Sequence, residues 1–186
     1  MLISVIILHA NKADYSRACL ESLARVSHPE IEVINVNNGS TDDTASLLES
    51  WRPDGIETRT LSFDSNIGAV RGRNEARGEA IAFLDNDVIL GQPNVFEILE
   101  NALFSRPECG IVVPKLVFPF APFLVECLGA GVSRSGKIEY LERGKPRETA
   151  FSPREVQCAI SAAWLCKREV FEKIGALDEA FSPVQF

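Results

Sequence analysis

Apolar residues in the first half of the chain fall into two alternating kinds of run. Ile3 to Leu8 is continuous and rich in β-branched residues, the pattern of a strand covered on both faces. The next segment spaces Tyr15, Cys19, Leu20 and Leu23 at helical intervals, with Asp14 as its N-cap. A second strand follows over Ile31 to Val36. After it, Ser40 or Thr41 caps a helix with Leu47, Leu48 and Trp51 on one side, and Asp42 and Asp43 fall in its first turn, where the dipole favours negative charge. Ile56 to Leu61 reads as a third strand, Gly68 to Gly78 as a small-residue helix and Ala80 to Leu84 as a fourth strand. Gln92-Pro93 opens a helix along Val95, Leu99 and Leu103, and Gly110 to Val113 is a further strand. Strand and helix alternating at this spacing predict the α/β class, with a doubly wound, mostly parallel sheet.

The second half changes character. Proline and phenylalanine crowd Pro114 to Pro122, which predicts an irregular loop. Val132 to Leu141, with Ser135-Gly136 at its centre, predicts a small β-hairpin. The polar stretch from Arg143 to Arg154 is expected to be a mobile loop. Val156 to Cys166 reads as a strand, and Lys167 to Ile174 as a short helix stopped by Gly175.

Composition narrows the function classes. The 186 residues, 46% apolar and 24% charged, suit one compact domain rather than two, so residues 1–186 are read as a single unit. A net charge of −7 argues against a broad nucleic-acid face, which needs a positive surplus. Any anion must be held locally, by backbone amides, a few arginines or a metal. The apolar run near the start is far shorter than the roughly 20 residues of a bilayer span and has no basic flank, so a cytoplasmic protein without a signal peptide is expected. The five cysteines form no paired Cys-x-x-Cys pattern and read as buried thiols.

In an open parallel sheet, ligands sit beyond the carboxyl ends of the strands. Three polar turns fall at those ends: His9-Ala10-Asn11, Asn37-Asn38-Gly39-Ser40 and Asp85-Asn86-Asp87. Any one of them is ordinary turn punctuation. Their joint position points to a site. Two carboxylates two residues apart at a strand end can divide their work between a ligand and a cation, and such hard oxygens suit magnesium or manganese.

The runs Ile3 to Leu8, Asn37 to Asp42, Asn66-Ile67-Gly68 through Arg73-Asn74, and Phe83 to Asp87 resemble, in order and spacing, the nucleotide-sugar glycosyltransferases of family 2. Ala163 to Phe171 and Ile174 to Phe181 look like that family's acceptor-side segment. The resemblance implies a GT-A type of fold, with residues 1–113 as the half that binds a nucleoside-diphosphate sugar and 114–186 as part of the acceptor half. It implies inverting transfer of the sugar to an acceptor hydroxyl, assisted by a divalent cation, Mn2+ or Mg2+. By the same resemblance Asp87 holds the metal, and Asp85 contacts the ribose or shares the metal through water. His9 and Asn11 line the base and ribose pocket, and Gly39 and Asn86 belong to the donor-binding set. Asn37 stands where the family often has an acidic residue, and its amide can both accept and donate to a base. Asn66, Arg71 and Arg73 precede the fourth strand, where an arginine can grip a phosphate in bidentate fashion.

The family's general base follows the segment matching Leu177 to Phe181, so it is expected beyond Phe186. Asp178 and Glu179 match the segment upstream of that base and read as structural. Saccharide, lipid-linked, polymer and protein acceptors all stay open, and any peripheral membrane association would reside in the missing C-terminal part. Two rival readings stand beside the transferase: a catalytically silent nucleotide-sugar-binding fragment, and a sugar-nucleotide pyrophosphorylase, which would want a Gly-rich loop where His9-Ala10-Asn11-Lys12 stands. The run from Gly131 to Gly136-Lys137 imitates a P-loop but places Ile138 where a magnesium-binding hydroxyl belongs. His28, beside Pro29, reads as a surface loop residue.

Overall fold

The continuous apolar runs become neighbouring strands of one sheet in the computed structural model, which describes residues 1–66, 75–149 and 151–175. Its elements are β1 (Ile3–His9), α1 (Ala13–Leu23), β2 (Ile31–Asn38), α2 (Thr44–Ser50), β3 (Glu57–Phe63), β4 (Ala80–Asp85), α3 (Val95–Phe104) and β5 (Ile111–Val112). The second half adds β6 (Leu116–Val117), β7 (Val125–Cys127), β8 (Ala130–Val132), β9 (Ile138–Tyr140), β10 (Ala163–Lys167) and α4 (Arg168–Ile174). The main sheet has the order β3-β2-β1-β4-β10-β5, and β6-β7 and β8-β9 form two small antiparallel sheets. β1 to β4 are mutually parallel, whereas β10 runs antiparallel to both β4 and β5.

Both faces of the sheet are covered, which is why β1, β2 and β4 are mostly apolar, with Ser4, Glu32 and Asn35 as buried polar exceptions. On one face Ile3, Val5 and Ile7 pack with Cys19, Leu20 and Leu23 of α1, Leu47 and Leu48 of α2, and Phe96 and Leu103 of α3. On the other, Ile6, Ile34, Val36, Ile81 and Phe83 pack with Trp164 of β10 and Phe171 of α4. Phe83 and Trp164 stack with ring centroids 4.4 Å apart.

The chain moves outward from β1 to β2 to β3, then returns to place β4 on the other flank of β1. That reversal makes the gap between the carboxyl ends of β1 and β4 a topological switch point, the place where such sheets open a crevice. Register brings the ends level: Leu8 pairs with Asp85, and His9 with Asn37.

Several local expectations are corrected. Asp14 lies inside the first turn of α1, and the residue ahead of the helix is Lys12, in the left-handed region at φ 61°. Tyr15 points to solvent, and Ser16 takes the buried place beside Cys19 and Leu20. α2 begins at Thr44, so Asp42 and Asp43 precede it, and Asp42 does the capping expected of Ser40 or Thr41. Most of the Gly68 to Gly78 helix lies outside the described residues, and its end, 75–78, is not helical. The Arg143 to Arg154 stretch is tied down through residue 149: Val125 N–H donates to Lys145 O, Gly144 N–H to Val125 O, and Lys115 Nζ to Arg147 O. The strand expected from Val156 forms only over Ala163–Lys167. His28 is buried, its Nε2 2.8 Å from Glu100 Oε2 of α3. The hairpin forms as expected, and Gly136, at φ 79°, sits in its turn, which disposes of the P-loop imitation. Cys19, Cys127 and Cys166 are buried, Cys109 and Cys158 are half-buried, and all five are free thiols.

Candidate functional site

The three polar turns meet, and hydrogen bonds between them fix how. Asn11 is the hub. Its backbone N–H donates to Ser40 Oγ at 2.9 Å, its Oδ1 accepts from Thr41 N–H at 2.7 Å, and its carbonyl accepts from Asn86 Nδ2 at 3.2 Å. Asn11 and Lys12 are consecutive left-handed residues, at φ 59° and 61°. Asparagine tolerates that region, while lysine there costs about 1 kcal/mol, a strain the surrounding bonds hold in place.

Asp42 joins the first two turns from below. One carboxylate oxygen accepts from Thr44 N–H at 3.0 Å and the other from Ala13 N–H at 3.1 Å, so a single anion serves the N-termini of α2 and α1 together. Its hydrogen bonds, Thr44 first, hold its carboxyl below the usual range. Asn37 Oδ1 accepts from Ser40 N–H at 3.1 Å and closes its own turn, and its side chain is buried. Gly39 has φ 68°, and a Cβ there would stand 2.8 Å from Ser65 Cα, so the turn needs glycine for both conformation and room. Asn66 is exposed just after the β3 turn. Arg71 and Arg73 lie outside the described residues, as do Asp178 and Glu179.

Asp85 ends β4, and its turn is closed by Val88 N–H donating to Asp85 O at 3.1 Å. Asp85 is half-buried and Asp87 exposed. Burial, and then the charge of Asp87, push the Asp85 carboxyl up from 3.8 to about 6. The same two aspartates add to the burial that raises the Cys19 thiol to about 12, so an inert thiol underlies the turn. Among the described residues no cluster of three or more His, Cys, Asp or Glu side chains forms a closed metal cage. Two hard carboxylates, Asp87 exposed and Asp85 half-buried, fit a cation that takes its remaining ligands from phosphate and water, as magnesium does.

His9 does not offer a free ring nitrogen. It is fully buried, with Nδ1 2.9 Å from Ser16 Oγ and Nε2 3.1 Å from Asn35 Oδ1. Burial keeps it neutral by lowering it from 6.5 to about 4, against the opposing hydrogen bond with Asn35. Ser16 also accepts from Asn86 Nδ2 at 2.9 Å. Ser16 and Asn35 escaped the sequence reading. The signal was there in Asn35, a polar residue in the middle of a strand buried on both faces; its Oδ1 meets His9, while its buried Nδ2 has no hydrogen-bond partner among the described residues.

The family model for glycosyl transferase family 2 matches residues 4–175. The chain is 32% identical over 191 residues to the O-antigen biosynthesis protein RfbC of Myxococcus xanthus, covering 96% of this chain and 15% of that protein. It is 36% identical over 88 residues to the putative glycosyltransferase EpsH of Bacillus subtilis (strain 168), covering 46% and 26%. The chain therefore spans a minor part of the length of these relatives. Among solved structures, the mannosyltransferase PcManGT from Pyrobaculum calidifontis, in complex with GDP-Man and Mn2+, matches 95% of this chain and 47% of its own with a TM-score of 0.68 at 18% identity. S. aureus TarS 1-349, in complex with UDP-GlcNAc, matches 62% and 34% with a TM-score of 0.54 at 24% identity. At these identities the two likenesses establish the GT-A fold.

Proposed function

The chain belongs to glycosyl transferase family 2, and from that membership we propose that it binds a nucleoside-diphosphate sugar at the β1–β4 switch point and transfers the sugar, with inversion, to an acceptor hydroxyl. The observation that carries this reading is the convergence of the turns after β1, β2 and β4 on Asn11, with Asp85 and Asp87 beside them. Residues 1–113 form the donor half in this reading, and 114–186 contribute to the acceptor half. GDP-Man, UDP and UDP-GlcNAc, the nucleotides held by the structural neighbours, define the donor class to test.

Asp87 and Asp85 would hold Mg2+ or Mn2+, which when bound supplies positive charge against the departing diphosphate. Asp87, exposed, would be the ligand of that cation, while Asp85, half-buried, would contact the ribose or share the cation through water. Asn11, Asn37 and Gly39 shape the floor on which base and ribose lie. By the family resemblance Asn66, Arg71 and Arg73 belong to the donor-binding set, where an arginine would give a phosphate paired, charge-assisted hydrogen bonds. The proton leaving the acceptor hydroxyl goes to a general base.

Calorimetric titration of the chain with uridine and guanosine diphosphates, with and without Mn2+, tests the reading. Binding should require the metal, and Asp87→Ala should weaken it by at least about 100-fold, roughly 2.7 kcal/mol. Metal-independent binding, or an Asp87→Ala chain that binds as tightly as the parent, would remove the assignment.

A further inference from the structure

Behind the two aspartates runs a line of side chains that the packing of an apolar core does not require: Asn86, Ser16, His9 and Asn35. The last three are fully buried. Asn86 Nδ2 donates to Ser16 Oγ at 2.9 Å, Ser16 Oγ lies 2.9 Å from His9 Nδ1, and His9 Nε2 lies 3.1 Å from Asn35 Oδ1. The amide oxygen of Asn35 can only accept, so His9 carries its hydrogen on Nε2 and presents Nδ1 as an acceptor. The Ser16 hydroxyl must then donate to Nδ1, which leaves its lone pairs for the amide of Asn86. Each bond fixes the sense of the next. The line ends on the residue that separates Asp85 from Asp87, and the Asn86 amide also donates to Asn11 O. Buried polar groups cost stability unless bonded, and a connected set specifies one arrangement where an apolar contact would allow several.

We infer that His9 is a positioning residue: through Ser16 it holds the side chain of Asn86, and so sets the separation and aim of the Asp85 and Asp87 carboxylates. The inference rests on the proposed donor and metal site, and it places His9 behind that site instead of in its lining. Outer-shell partners of a metal ligand typically change metal affinity 10- to 100-fold when lost, and His9 acts from further out, through Ser16 and Asn86, so the lower end of that range is expected.

The test follows the side-chain amide signals of Asn86 in the 15N-labelled chain without ligand, and then Mn2+ binding in the presence of uridine or guanosine diphosphate. Ser16→Ala should shift the Asn86 amide signals and raise the apparent Kd for Mn2+ about 10-fold. His9→Leu should do the same, while His9→Asn, whose side-chain oxygen can stand where Nδ1 stands, should recover most of the affinity. Asn86→Ala, which leaves the core untouched, should show the same Mn2+ loss even where a buried variant fails to fold. A folded Ser16→Ala chain with unmoved Asn86 signals and unchanged Mn2+ affinity overturns the inference, as does recovery by His9→Leu equal to that by His9→Asn. A parent chain that binds neither Mn2+ nor nucleotide overturns the proposed function instead, and the ligand-free amide signals still decide the relay.

Discussion

Two carboxylates at opposite ends of parallel strands, one on either side of β1, meet opposite fates. Glu32, near the start of β2, is almost fully buried. Burial alone would raise its carboxyl, but Ser4 Oγ, Arg77 N–H and the Arg77 side chain all donate to it, and the net effect holds it below its ordinary range. Arg59 Nη2 adds a second cation at 3.2 Å, and Arg77 reaches on to Glu57 at 2.6 Å. Asp85, at the end of β4, is less buried, yet its carboxyl is raised to about 6, by burial first and by the charge of Asp87 second, two causes that act in the same direction. The amino edge of the sheet has thus completed its charge balance with its own residues, while the carboxyl edge has left an anionic pair facing solvent. An uncompensated pair at a switch point marks a site for something the chain does not itself supply; a compensated network marks a brace.

The brace is the easier to break. Glu32→Ala removes the common acceptor of Ser4, Arg77 and Arg59 and leaves their donors unpaired at the base of β1 and β2. Removing one partner of a buried charge network costs about 3 to 5 kcal/mol, and that loss should appear as a lower urea midpoint with nucleotide affinity nearly unchanged for whatever fraction stays folded. A Glu32→Ala chain as stable as the parent would mean that the two edges do not differ in the way described.

The next effect is read against pH. His9 is lowered from 6.5 to about 4, mainly by burial, so the unfolded chain takes up a proton that the folded chain refuses. Its contribution is complete above pH 6.5 and is lost as pH falls toward 4, at about 1.4 kcal/mol per pH unit and up to roughly 3 kcal/mol in all. Asp85 works in the opposite direction over nearly the same window. Chemical denaturation between pH 7 and 4.5 should therefore give a shallow stability profile for the parent, since the two slopes offset each other. His9→Asn, which lacks the titrating ring, should become more stable on acidification over this range.

The amino-acid sequence announces the two edges unequally. β1, β2 and β4 were legible because burial on both faces demands largely apolar runs, and the turns after them because Asn-Gly and Asp-Asn-Asp are turn sequences. Glu32 and Ser4 were hidden inside those same runs: a lone polar residue in an apolar string does not say which arginine, 27 or 45 positions away, will meet it. Ser16 and Asn35 were hidden for the same reason. The N-terminus of α1 was misplaced because its capping carboxylate, Asp42, comes from a different turn. In the second half, strands of two or three residues carry too little pattern to set their bounds, and the antiparallel course of β10 depends on the connection that precedes it, which no local spacing encodes.

The smallest effect bears most directly on the comparison. If the carboxyl edge holds charge in reserve for a cation, neutralising part of it should stabilise the empty protein while harming the loaded one. A rise in Asp85 from 3.8 to about 6 corresponds to roughly 3 kcal/mol of penalty on the folded state when fully ionised, and partial exposure reduces this to about 1 to 2 kcal/mol. The sign follows from the direction: a raised carboxyl binds its proton more tightly folded than unfolded, so the penalty is absent below pH 3.8 and develops fully above about 6. Asp85→Asn should accordingly be more stable than the parent at pH 7 to 8 by that amount and equal to it near pH 4, and should weaken Mn2+-dependent nucleotide binding. Saturating Mn2+ and nucleotide should reverse the order at neutral pH, because a ligand stabilises whichever chain binds it better. An Asp85→Asn chain that is less stable than the parent without ligand would show that the carboxylate braces the turn as Glu32 braces the opposite edge, and the distinction between the two ends of the sheet would fail.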